Sequence, residues 1–137
     1  MLDPLPTFVD TNVILDVLTD DPTWGLWSAE ALEAIGDEVP LIINQVVYAE
    51  AAPHFARIED LDSALSVFTR ENVPWAAGFL AAKAHVEYRR RGGTRSRTLP
   101  DFFIGAHASL KGYALLTRDP KHYRQAFPQL VLISPEV

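Results

Sequence analysis

Cysteine is absent from the 137 residues, which rules out disulfides and thiolate metal sites and leaves any metal to carboxylates or to the four His. The four, His54, His85, His107 and His122, show no ligand spacing, so a structural or surface role is expected of each. Long apolar runs are also missing. The uncharged stretch from Val39 to Ala49 contains Pro, Asn and Gln and is too short to cross a bilayer, and the opening M-L-D-P-L-P lacks the positive start and apolar core of a secretion signal. A cytosolic protein with no membrane association is therefore expected. Positive charge is scarce as well: 18 acids against 12 Lys and Arg give a net charge of −6, which argues against nucleic-acid binding through an overall positive field. The sequence has no internal repeat, low-complexity tract or linker, and its length fits one domain over residues 1–137.

What is present is a set of short apolar runs that alternate with helical patterns. Thr7-Phe8-Val9, residues 39–43, Ala114-Leu115-Leu116-Thr117 and residues 130–133 read as strands, the second without alternation, as in a parallel sheet buried on both faces. Between them, helices are expected from Asn12 onward, with Val13, Ile14, Val17 and Leu18 facing the core, and over residues 24–35, stopped by Gly36. Further helices are expected over residues 44–51 (capped by Asn44, ended by Pro53), 60–70 (capped by Asp60), 76–90 and 102–111 (stopped by Gly112). This alternation predicts a three-layer α/β/α domain with a mainly parallel sheet.

Asp10 stands at the carboxyl end of the first strand, the edge where open α/β sheets bind ligands, although Asp10-Thr11-Asn12 read alone serves equally as a helix cap. Glu50, Asp101 and Asp119 fall at or within about two turns of other strand ends or helix starts, so four acids distant in sequence can converge on one edge. Carboxylates held together repel and raise one another's pKa, and a divalent cation relieves that repulsion. Oxygen-only ligation suits Mg²⁺ or Mn²⁺ and chemistry at phosphorus. Residues 89–97 hold five Arg (Arg89, Arg90, Arg91, Arg95 and Arg97), a basic segment that could contact RNA phosphates. Trp24, Trp27 and Trp75 are expected to pack in the core or between helices, with base stacking or a partner groove as the alternative.

Four segments together resemble PIN domains, specifically the VapC-type toxins of toxin–antitoxin pairs: V-D-T-N-V-I-L-D ending at Asp16, N-Q-V-V-Y-A-E ending at Glu50, L-P-D-F-F-I-G-A-H-A around Asp101 and L-L-T-R-D ending at Asp119. The resemblance spans nearly the whole chain, in order. It implies a Mg²⁺- or Mn²⁺-dependent endoribonuclease leaving 3′-hydroxyl and 5′-phosphate ends, with Asp10, Glu50, Asp101 and Asp119 as the catalytic acids. Asp10 and Asp101 would bind metal most directly, Glu50 and Asp119 through water, and Thr11, Asn12 and Thr117 would support the site. It further implies a homodimer and a cognate antitoxin whose basic tail reaches the acidic site. Two other readings are a catalytically silent PIN-like interaction module and a receiver-type signalling domain. The second fits poorly, because it needs an adjacent acid pair near the N-terminus and a lysine after a later strand.

Overall fold

The computed structural model describes residues 4–94 and 97–135. Five parallel strands, β1 (Thr7–Val9), β2 (Leu41–Ile43), β3 (Thr69–Arg70), β4 (Ala114–Leu116) and β5 (Leu132–Ile133), lie in the order β3-β2-β1-β4-β5 within a three-layer α/β/α domain. The three central strands are buried along their whole length, which is why they read as unbroken apolar runs. Register places Thr7 beside Leu41 and Ala114, so β1, β2 and β4 end level with one another and the residues that follow them share one edge. The helices are α1 (Thr11–Leu18), α2 (Gly25–Gly36), α3 (Gln45–Ala51), α4 (Ile58–Ala64), α5 (Trp75–Arg90), α6 (Leu99–Lys111) and α7 (Lys121–Ala126).

Several boundaries follow local chemistry closely. Asn44 caps α3, its Oδ1 accepting from the backbone N–H groups of Val46 (2.9 Å) and Val47 (3.2 Å). Pro53 lies in the single 3₁₀ turn Ala52–His54 that ends the α3 segment early. Gly112 closes α6 in the left-handed conformation at φ 71°, where a Cβ is costly.

Other expectations are corrected. Asn12, the first helical residue expected and a favoured capping type, does not cap α1: the cap position falls two residues earlier, at Asp10, and Asn12 lies in the first turn. Val17 and Leu18 face outward, 40% and 36% exposed, because α1 turns its Val13 and Ile14 side to the core and buries Asp16 as well. Asp16 Oδ2 accepts from Ser28 Oγ (2.9 Å) and Arg118 Nε (2.8 Å), an ion pair that ties α1 to α2 and to the segment after β4. Asp37 follows Gly36 at the end of α2 in right-handed conformation, so no left-handed glycine turn forms there. The helix expected over residues 60–70 is α4, capped at Arg57, followed by β3. Leu61 and Leu65 supply the helical spacing, but the open edge of β2 draws Thr69 and Arg70 into the sheet, and Glu71 N donates to Ile43 O at 2.9 Å. Helix α6 starts at Leu99 through a capping box between Thr98 and Asp101. Helix α7 has no counterpart in the apolar pattern, since its buried side chains are the polar His122 and Tyr123, with Phe127 just beyond its end. Trp27 packs against the core as expected, whereas Trp75 opens α5 almost fully exposed.

Buried Gly105 lets α6 lie directly on the ring of Phe127, since a Cβ there would stand 2.5 Å from that ring and 3.0 Å from Tyr123. Gly105→Ala is therefore expected to lower the free energy of unfolding by about 1 to 3 kcal/mol. Urea denaturation measures this, and an unchanged midpoint would contradict the packing described.

Candidate active site

Asp10 leaves β1 in extended conformation (φ −68°, ψ 146°), and its side chain makes no capping hydrogen bond to α1. The carboxylate turns instead to the end of β4 and to α7. Its Oδ2 accepts from Thr117 Oγ1 at 2.8 Å, Tyr123 OH at 3.0 Å and Asn12 Nδ2 at 3.3 Å. Thr117 reaches it because the β1–β4 register sets Val9 beside Leu116, so the next residue of each strand meets across the edge. Thr117 Oγ1 also accepts from Asn12 Nδ2 (3.4 Å) and from Asp119 N (3.1 Å), linking three of the expected supports and acids through one hydroxyl.

Glu50, on α3, accepts from Thr11 Oγ1 at 2.7 Å, so α1 positions it from its first residue. Asp101 accepts from Thr98 N at 2.9 Å in the capping box, which fixes it in the first turn of α6. Asp119 pairs with Arg97. The four acids thus share a pattern: one oxygen is anchored by the protein, and the other meets no hydrogen-bond donor among the described residues.

Three of these acids feel one another's charge. Burial raises the Asp10 carboxyl to about 6, hydrogen bonds from Thr117 and Tyr123 offset part of the rise, and the negative charges of Asp101 and Glu50 push it further up. Glu50 is raised by burial and by Asp101, against the hydrogen bond from Thr11. Asp119 joins from the α7 side, where His122 feels the charges of Arg97, Asp101 and Asp119 together. Among the described residues no three acidic or imidazole side chains converge closely enough to form a ready metal cage. The donor set nevertheless fits a hard divalent cation: oxygens only, each carboxylate with one oxygen free, Asp10, Glu50 and Asp101 mutually repelling, and, among the described residues, no Lys or Arg in contact with those three.

Asp10, Glu50 and Asp101 thus feel one another's charge, Asp119 is tied to them through Thr117, and Thr11, Asn12 and Thr117 supply the hydrogen bonds between, short of a closed cluster among the described residues. Among the described Arg of the basic segment, only Arg97 reaches the acids. Arg89 and Arg90 end α5 with Arg91 just beyond, all exposed and without contact to them, and Arg95 lies outside the described residues. Two site residues went unread in the sequence. Tyr123 donates to Asp10 from a helix with no apolar signature, and Arg118 both holds Asp16 and donates its backbone N–H to Asn12 Oδ1 at 3.4 Å.

Among solved structures, the chain resembles VapBC2 from Rickettsia felis, crystallised with a promoter DNA fragment, at a TM-score of 0.73 and 19% identity, covering 96% of this chain and 100% of that one. A toxin–antitoxin complex from Klebsiella pneumoniae aligns at 0.69 and 24% identity, covering 95% and 98%. VapBC-1 from nontypeable Haemophilus influenzae aligns at 0.73 and 18% identity, again covering 95% and 98%. At these identities the likeness is one of fold. No curated protein matches the sequence. The model of the PIN domain, however, matches residues 7–128, from the first residue of β1 past the end of α7 and so across all four acids, and the chain belongs to the PIN domain family.

Proposed function

We propose that the chain is a Mg²⁺- or Mn²⁺-dependent endoribonuclease, the toxin of a VapBC-type toxin–antitoxin pair. The observation that carries this reading is the placement of four carboxylates, from the ends of β1 and β4 and from α3 and α6, on one side of the sheet, each anchored through one oxygen and open at the other among the described residues. Membership of the PIN domain family and likeness in fold to VapBC complexes support it.

In this reading Asp10 and Asp101 would hold the cation directly, and Glu50 and Asp119 would act on it through water. A bound divalent cation would stabilise the charge that builds on the phosphate oxygens and make nearby water more acidic. The protein's own part is positional. Thr117, Tyr123 and Asn12 hold Asp10 at one angle, Thr11 holds Glu50, and Thr98 holds Asp101, so little reorganisation is needed as charge develops. Arg97 is the cation of the basic segment placed to meet a phosphate. Hydrolysis would leave 3′-hydroxyl and 5′-phosphate ends. The proposed partners are a second copy of the chain and an antitoxin with a basic segment, which an acidic site and a net charge of −6 would attract in the cytoplasm.

Incubating the purified protein with structured RNA and Mg²⁺ tests the activity. Cleavage is expected to stop with EDTA and to fall by at least about 100-fold in Asp10→Asn. Metal-independent cleavage, or full activity in the variant, would overturn the assignment.

The raised Asp10 pKa gives a second test without RNA. The folded, metal-free protein holds the Asp10 proton up to about pH 6, whereas the unfolded chain releases it near about 4. Between these values the folded state binds more protons, so stability falls as pH rises from about 4 to 6 and then levels, by up to about 3 kcal/mol. Mg²⁺ should recover stability at pH 7 and much less at pH 4.5, where protons compete for the carboxylate. In Asp10→Asn this part of the pH slope disappears. Thermal denaturation with and without EDTA measures both effects, and a melting temperature indifferent to Mg²⁺ at pH 7 would count against the site.

A further inference from the structure

One strand away from the acids, a cleft of about 340 Å³ opens at the ends of β2 and β3, lined by Asn44, Gln45, Tyr48, Arg70, Glu71 and Asn72. Its placement follows from register. Phe8 sits beside Ile42, and Ile43 beside Arg70, so Asp10, Asn44 and Glu71 leave three adjacent strands on the same edge. Strand spacing then sets Glu71 about 10 Å from Asp10, within reach of a nucleotide whose phosphate lies at the acids.

The cleft contains a flat platform. The Arg70 guanidinium lies over the Tyr48 ring, 4.8 Å from its centroid, and Asp62 Oδ1 holds both partners, accepting from Arg70 Nη2 at 2.6 Å and Tyr48 OH at 2.7 Å. Bases stack on aromatic rings and on guanidinium planes of this kind.

Beside the platform stands a hydrogen-bonding edge whose orientations are fixed from behind. Glu71 Oε1 accepts from His107 Nε2 (3.0 Å) and Oε2 from Tyr113 OH (2.7 Å), and His107 Nδ1 in turn accepts from Asn44 Nδ2 (3.0 Å). Burial lowers the His107 pKa, and bonds from Tyr113 and His107 outweigh desolvation at Glu71 and keep it ionised. The carboxylate is 27% exposed, pairs with no Lys or Arg among the described residues, and retains a lone pair on each oxygen. Next to it, Gln45 Nε2 donates to Asn72 Oδ1 at 2.8 Å while Gln45 Oε1 accepts from Val73 N at 3.0 Å, so both amides are locked. The Asn72 amide N–H groups then have no acceptor among the described residues. The cleft thus presents two carboxylate acceptors beside an amide donor. Guanine is the base whose pairing edge offers two adjacent donors, N1–H and N2–H, next to an acceptor, O6.

We propose that this cleft binds a guanine base of single-stranded RNA adjacent to the phosphodiester at the acid cluster, with Glu71 and Asn72 reading the base and the Tyr48–Arg70 pair stacking on it. The proposal names the sequence preference of the reaction put forward above and rests on that reading.

Two experiments separate the ideas. In the first, the ¹⁵N-labelled protein in EDTA is titrated with guanosine, adenosine, cytidine and uridine 5′-monophosphates, which share a phosphate and differ in the base. The guanosine nucleotide should shift the amide signals of Gln45, Glu71 and Asn72, with about tenfold tighter binding than the other three, and Asn72→Ala and Glu71→Gln should each erase the difference. Equal responses to all four nucleotides, no shifts in the cleft, or a preference that survives both substitutions would overturn the proposal. In the second, cleavage sites in a mixed-sequence RNA are mapped with Mg²⁺. Guanine should adjoin the cuts of the wild type, and the bias should vanish in Asn72→Ala. A protein that cuts no RNA would refute the hydrolase reading while the titration still decides the cleft. A protein that cuts without guanine bias would refute the cleft alone.

Discussion

A single buried carboxylate governs this molecule. Asp10 sits at the closed end of β1, where ionisation is costly because little water reaches it. The described residues answer with neutral donors: Thr117, Tyr123 and Asn12 all turn toward the same oxygen. Nearby cations are spoken for, Arg118 by Asp16 and Arg97 by Asp119. Asp101 and Glu50 add repulsion instead of relief. The charge is thus oriented without being neutralised, an arrangement that makes sense for a group that meets a cation from outside.

Orientation depends on elements well removed from the carboxylate. Tyr123 can donate to Asp10 because α7 packs down on α6, and that approach is open because residue 105 has no side chain to stand against Phe127. Thr117 meets Asp10 through the β1–β4 register, and Asn12 is held in turn by Arg118, whose guanidinium is moored to Asp16 and through it to Ser28 on α2. An ion pair with one partner buried adds little net stability, but removing Arg118 would strand the buried Asp16 carboxylate, so the pair fixes geometry well. On the opposite side, the chain from Asn44 through His107 to Glu71 and Tyr113 joins the α3 cap, α6 and the edge strand, and so sets the elements that carry Glu50 and Asp101 against each other.

The acids and the central strands were legible in the sequence because both leave local marks. Three buried strands give unbroken apolar runs, and Asp10 and Asp119 each stand just beyond one. Asn44 and Gly112 end their elements by backbone chemistry that is equally local. What stayed hidden depends on partners distant in sequence. Thr69 and Arg70 form a strand because β2 has an open edge, and residues 121–126 form a helix because Tyr123 and Phe127 find α6. Asn12 looked like a cap because the residue type favours capping, yet the extended backbone at Asp10 starts the helix first and frees both side chains for the site. Arg97 was legible as positive charge, while its pairing with Asp119 depends on the fold.

The charge balance of the chain constrains how a polyanion could approach it. Four carboxylates on one edge of a protein with net charge −6 repel a phosphate at short range, and screening over about 8 Å at physiological ionic strength does little inside a partly buried site. On the proposed reading, cation and phosphate therefore depend on each other. A divalent ion held by the free carboxylate oxygens would turn the repulsion into attraction, and a phosphate drawn toward Arg97 would loosen the guanidinium's hold on Asp119. Each ligand would thereby favour the other's binding, and linkage requires such an effect to be reciprocal. The same balance bears on the adjoining cleft: with Glu71 ionised and Arg70 already held by Asp62, it favours a neutral, flat, hydrogen-bonding group over a second phosphate. Phosphate at the acids and base one strand over is the arrangement that the two sites' opposite demands on charge allow.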